Sequence, residues 1–308
     1  MIKRLSLLVI LIFVFFESKS QNIAQQLGYD KNAKLLIIHA DDIGVSHSVN
    51  KASFNAFKSG SISSGSIMIP CAWLLEVAKF SELNPQYDLG LHLTITSEWE
   101  NYKWDGISSS NEISSLLNSY NHFYDNTEDV KKYAIASEVK KEIQAQIDYA
   151  KKVGINPTHL DSHMGALSVR ADIAKAYLEV GEENNIPVFL PSTIKPLLES
   201  INYNQKNLVL VDKYYMMDGS GVEKSEWSNF YSNIINNLQP GFNVILVHLG
   251  YDNEELQAVT INHPDFGSSW RELDLHVLES KTFKNLLIKN NIKIIQWRDI
   301  KNIIYPNN

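Results

Sequence analysis

Lys34-Leu-Leu-Ile-Ile-His-Ala-Asp-Asp-Ile-Gly44 is the stretch on which the fold reading turns. Its apolar run, residues 35–38, has the length and aliphatic content of a strand buried on both faces. It ends in two adjacent carboxylates, Asp41 and Asp42, followed by Gly44. Neighbouring carboxylates repel unless a cation or a shared proton offsets them, and a strand tip has no need of an acid pair. At the carboxyl end of a parallel strand, such a pair lies where α/β folds keep their chemistry. The plainer reading makes Asp42 a turn former and Asp41 merely solvated. Histidines farther along the chain weigh against it.

Outward from this stretch, residues 47–60 read as a helix closed by Gly60, 61–70 as a strand, 71–80 as a helix, and 88–95 as a strand containing His92. Residues 128–154 form one amphipathic helix stopped by Gly154, and 158–162 a strand. A helix over 170–185 and a short strand over 186–190 follow, then an irregular stretch over 191–226. Beyond it come a helix over 227–238, the clearest buried strand of the chain over 242–249, a helix over 270–290 and a last strand over 292–296. Strand and helix alternate about seven times with no break in composition. The pattern predicts a single α/β unit over 21–308, a (β/α) barrel of about seven strands. Residues 97–127, rich in Ser and Asn and carrying Trp99, Tyr102, Trp104, Phe123 and Tyr124, read as an insertion over the site. Its aromatics suit sugar rings, though any one of them serves equally to pin a long loop. Gly44 lacks the glycine partners of a dinucleotide fingerprint.

The chain has 308 residues, 44% hydrophobic and 20% charged, enough apolar material for a sizeable core. Residues 1–20 stand apart: Lys3 and Arg4 precede the apolar run 7–16, and polar residues lead to Gln21, the pattern of a secretory signal peptide cut after Ser20. Export is therefore expected, with no membrane attachment after signal removal. Cleavage removes Lys3, Arg4, Lys19 and Glu17 and takes the formal net charge from −7 to −9. An acidic chain without clustered Lys or Arg argues against nucleic acid and anionic membranes and favours neutral or cationic substrates. The single Cys71 has no partner for an internal disulfide and reads as a small buried residue. Homo-oligomerisation is compatible with the sequence but unsigned in it.

Four predicted strand ends carry the unusual residues: Asp41 with Asp42, His92, the series His159, Asp161 and His163, and His248. Residues two apart share a strand face, so His159, Asp161 and His163 are expected to point one way. If that face is the barrel interior, His163 lies beside Asp42 and His92. One carboxylate and two imidazoles with open positions suit a divalent metal, zinc before magnesium, since magnesium prefers oxygen. A lone core histidine is usually structural; three at separate strand ends beside an acid pair point to a site.

Ala40-Asp-Asp-Ile-Gly44, Gly90-Leu-His-Leu93, Thr158-His-Leu-Asp-Ser-His163 and Val247-His-Leu-Gly-Tyr251 resemble, in order and spacing, the YdjC-like (ChbG-type) carbohydrate deacetylases. Ser269-Trp-Arg-Glu-Leu273 and Ile294-Ile-Gln-Trp297 match the ending of that family, so the resemblance runs over nearly the whole mature chain. It implies a distorted barrel related to the polysaccharide deacetylases. It further implies Asp42, His92 and His163 as metal ligands, Asp41 as general base, and His248 as acid or substrate-orienting group. The expected substrate is an acetylated carbohydrate; the alternatives are a metal-dependent hydrolase of another amide or ester, and a non-catalytic exported sugar-binding protein. Two positions depart from the family pattern: Gly165 stands where a further histidine is common, and His248-Leu-Gly250 replaces His-Pro-Gly.

Overall fold

The computed structural model describes residues 22–201, 203, 208–218 and 222–306. The expected signal peptide lies outside the described residues. Seven strands pair in parallel: β1 (Lys34–Ile43), β2 (Ser64–Ile67), β3 (Leu89–Leu93), β4 (Leu160–Ser162), β5 (Lys213–Tyr215), β6 (Gly241–His248) and β7 (Lys293–Ile294). The sheet order is β4-β3-β2-β1-β6-β5, with β7 also paired to β1. Isolated bridges Leu160↔Val188 and Pro191↔Val211 carry the pairing from β4 round towards β5. The result is a distorted barrel, regular on one half and held by single bridges on the other.

β1 is the hub. Leu35 and Ile37 pack with Phe242, Val244, Leu246 and Trp297, whereas Leu36, Ile38 and Ala40 join the larger cluster under the helices. Burial of such side chains contributes about 1.5–3 kcal/mol each. His39 and Asp41 continue the odd-numbered series, so that face of β1 passes from apolar at the amino end to ionisable at the carboxyl end. Register then aligns the chemistry, pairing Asp41 with His248 and His92 with Asp161 across neighbouring strands.

Several elements differ from the sequence reading. The segment 186–190 makes only one isolated bridge, at Val188, and the fifth strand is instead β5, inside the stretch read as irregular. The helix expected over 128–154 is two, Thr127–Tyr133 and Ala136–Lys152. Between them Ala134 and Ile135 are extended, because Arg170 donates to the carbonyls of Lys131 and Ala134 and Ser115 Oγ accepts from Ile135 N. The helix expected over 270–290 also divides, into Ser268–Glu279 and Lys281–Lys289; extended Ser280 ends the first and caps the second through Phe283 N. The last strand shrinks to two residues, since Asp88 receives the amides of Trp297 and Arg298 and starts the helix Trp297–Ile304.

The insertion aromatics are mostly anchors. Trp104 and Phe123 are buried, Trp104 Nε1 donates to Thr96 O, and Tyr102 OH donates to Val45 O. Among the described residues no helix is long and apolar enough to cross a membrane.

Candidate metal centre

Asp41, Asp42, His92, His163 and His248 all line one cavity of about 810 Å³ at the carboxyl ends of the strands. Adjacent strand residues ordinarily point to opposite faces. Asp42 escapes that rule through a left-handed backbone, φ 65°, at a register shift between Ala40 and Ile43. Such a conformation in a residue other than glycine costs on the order of 1–3 kcal/mol and is retained where the surroundings impose it. Both carboxylates therefore reach the same cavity.

Asp42 Oδ1 stands 3.3 Å from His92 Nε2 and 3.4 Å from His163 Nδ1. It is buried, and neither ring nitrogen meets it with good hydrogen-bond geometry. One ligand atom from each of Asp42, His92 and His163 lies within 4.8 Å of the other two. Bonds of about 2.0–2.1 Å in a tetrahedral arrangement put neighbouring ligand atoms roughly 3.3 Å apart, so the donor set and its spacing fit zinc. Each imidazole is fixed from behind: His92 Nδ1 lies 2.6 Å from Asp161 Oδ1, and His163 Nε2 lies 2.9 Å from Glu98 Oε2. Carboxylates behind metal-binding histidines set the tautomer and the ring angle.

Charge is tightly balanced. Burial alone would raise Asp42, but Arg271, then His163 and His92, hold it well below the usual carboxylate range. Burial would lower His163, yet Glu98 and Asp42 push it up to about 9. His92 is likewise raised, by Asp161 and Asp41 against burial. Without a cation the carboxylates keep protons on both rings; a divalent ion would take their place.

His248 is expected as the acid or as a substrate-orienting group. It reaches the cavity, with Nε2 3.9 Å from Asp42 Oδ2, and Nδ1 has no partner. Burial drives its pKa down to about 4, against the pull of Asp42. His163 lies beside Asp42 and His92 as expected and opens the turn His163–Ser168 after β4, while left-handed Met164 and Gly165 bend the chain away.

Glu98 and Arg271 escaped assignment from sequence. Glu98 sits at the start of the insertion, and Arg271 lies in the Ser269–Leu273 motif without a role there. Arg271 Nη2 donates to Asp42 Oδ2, and its guanidinium lies 5.4 Å from the ring of Trp99, the one insertion tryptophan that lines the cavity. Gly90 has a steric reason, since a Cβ there would lie 2.3 Å from the His159 ring, which stacks on Trp297. Cys71 is buried and its thiol is raised by that burial, in keeping with an inert residue.

Fold and site together define an α/β-barrel protein built around a buried histidine–carboxylate centre. Residues 35–289 match the family described as YdjC-like protein. The chain belongs to the YdjC-like family. It is 28% identical over 281 residues to a carbohydrate deacetylase of Thermus thermophilus, covering 88% of this chain and 96% of the relative. It is 28% identical over 269 residues to a carbohydrate deacetylase of Thermoanaerobacter pseudethanolicus, covering 87% and 100%. A crystal structure from Enterococcus faecalis, provisionally described as a cellobiose-phosphate cleavage protein, shares the fold at TM-score 0.74 and 20% identity, covering 87% of this chain and 99% of that one.

Proposed function

We propose that the protein is an exported, metal-dependent deacetylase of N-acetylated sugars or oligosaccharides. The observation that carries the reading is the grouping of ligand atoms of Asp42, His92 and His163 within 4.8 Å of one another, on the cavity that Asp41 also lines. The names of the curated relatives support the substrate class. A divalent cation held by those three residues, zinc before magnesium, would polarise the acetyl carbonyl and acidify a water. Asp41, 6% exposed at the cavity floor, takes the proton of that water. The departing amine must regain a proton, and Asp41, having just received one, is the group that returns it. His248, in the wall of the cavity, orients the substrate. Glu98 and Asp161 keep the two imidazoles aimed, and Arg271 keeps Asp42 ionised.

The test is acetate release from a panel of N-acetylated and O-acetylated sugars, with metal content measured on the same sample. Stoichiometric metal without acetate from any N-acetylated sugar sinks the substrate assignment; full turnover without metal sinks the metal. Export rests on Lys3, Arg4 and the apolar run 7–16. Amino-terminal sequencing of the exported protein should begin at Gln21.

A further inference from the structure

One buried ionisable group close to the centre takes no part in the chemistry above. His39 is fully buried on β1, and its Nε2 lies 2.8 Å from Asp161 Oδ2 and 3.1 Å from Asp41 Oδ1. Its Nδ1 lies 3.1 Å from Ser64 Oγ, and Ser66 Oγ stands 3.1 Å from Nε2. A structural core histidine needs one partner on each nitrogen. Here one nitrogen faces two carboxylates from strands three apart in the sheet, and each has a separate task. Asp161 uses its other oxygen to hold His92 Nδ1, which turns His92 Nε2 towards Asp42. Asp41 is the proposed base.

We infer that His39 is a positioning residue that aims His92 through Asp161 and at the same time holds Asp41 in place. This rests on the metal centre proposed above. The electrostatics agree with it: burial would lower His39, but the hydrogen bonds to Asp161 and Asp41 push it up to about 9, so a cation sits between the two carboxylates near neutral pH. Loss of that cation leaves two buried carboxylates facing each other, and the Asp161 carboxylate free to rotate away from His92.

The experiment measures zinc affinity by chelator competition, together with kcat and KM at saturating zinc, for the wild type, His39→Leu and His39→Gln. His39→Leu should bind zinc roughly 10–100-fold more weakly, as expected for loss of an orienting group behind a ligand. At saturating zinc its kcat should fall at least about tenfold with KM nearly unchanged, because Asp41 acts in the chemical step. His39→Gln, which keeps an N–H near the Nε2 position, should recover most of the zinc affinity. Equal losses in Leu and Gln variants, or Leu affinity within about twofold of wild type, overturn the proposal. Should His39→Leu fail to fold, the cycle of His39→Gln, Asp161→Asn and their double variant decides: non-additive effects on zinc affinity support action through Asp161, and additive ones overturn it. A wild type that binds no zinc overturns the metal reading and this inference with it. Zinc-binding wild type with unaffected His39 variants overturns this inference alone.

Discussion

Arg271 Nη2 lies 2.7 Å from Asp42 Oδ2, in an ion pair whose partners are 1% and 3% exposed at the side chain. The contact occupies one carboxylate oxygen and leaves the other, Oδ1, facing His92 and His163. Arg271 also donates Nε to Phe266 O, so its guanidinium is held at both ends. A residue from a late helix thus decides which oxygen of Asp42 is free.

Replacing Arg271 with Met should therefore uncover a buried charge. Breaking such a pair typically costs about 3–5 kcal/mol. Metal-free Arg271→Met should unfold at correspondingly lower denaturant concentration, and saturating zinc should narrow the gap, since a cation at Asp42 compensates the lost one. A gap that zinc does not narrow would place the cation away from Asp42.

Ligand assignment predicts that His92→Ala and His163→Ala lose bound metal and activity together. Glu98→Gln, which only loosens the hold on His163, should weaken metal binding by roughly 10–100-fold. A full metal complement in either alanine variant contradicts the assignment.

The two neighbouring acids should separate. Asp41→Asn is expected to keep its metal and lose about 10²–10⁴-fold in turnover, the usual range for a proton-transfer group. Asp42→Asn is expected to lose metal affinity. Equal metal loss in both variants would make the pair a joint ligand.

Zinc binding should release protons at pH 7. In the metal-free protein the His163 pKa is raised to about 9, so below that pH its ring must give up a proton before it can ligate. Apparent affinity should rise with pH until about 9 and fall on the acid side. Calorimetry in two buffers of different ionisation enthalpy measures the release; none at pH 7 would mean that His163 is already neutral.

His248→Ala should retain metal and raise KM more than it lowers kcat, because a neutral imidazole orients substrate. The alkaline limb of the pH–rate profile should stay where it is. If that limb disappears with the side chain, His248 is the acid after all.

The apolar runs of β1 and β6 identify the hub and its long neighbour without coordinates, because strands buried on both faces must be continuously apolar. The residues that converge on the centre are legible too, since paired acids and histidines at strand ends have few structural uses. Element breaks are not. Nothing local in 128–154 announces that Arg170 will claim the carbonyls of Lys131 and Ala134, and β5, partly exposed, becomes a strand only by pairing with β6. The supporting residues were hidden for the same reason. His39 meets Asp161 across 122 positions, Glu98 meets His163 across 65, and Arg271 meets Asp42 across 229. Periodicity and spacing report which face a side chain takes; the partner it finds there, and so its charge, is decided only when the barrel brings distant strands together.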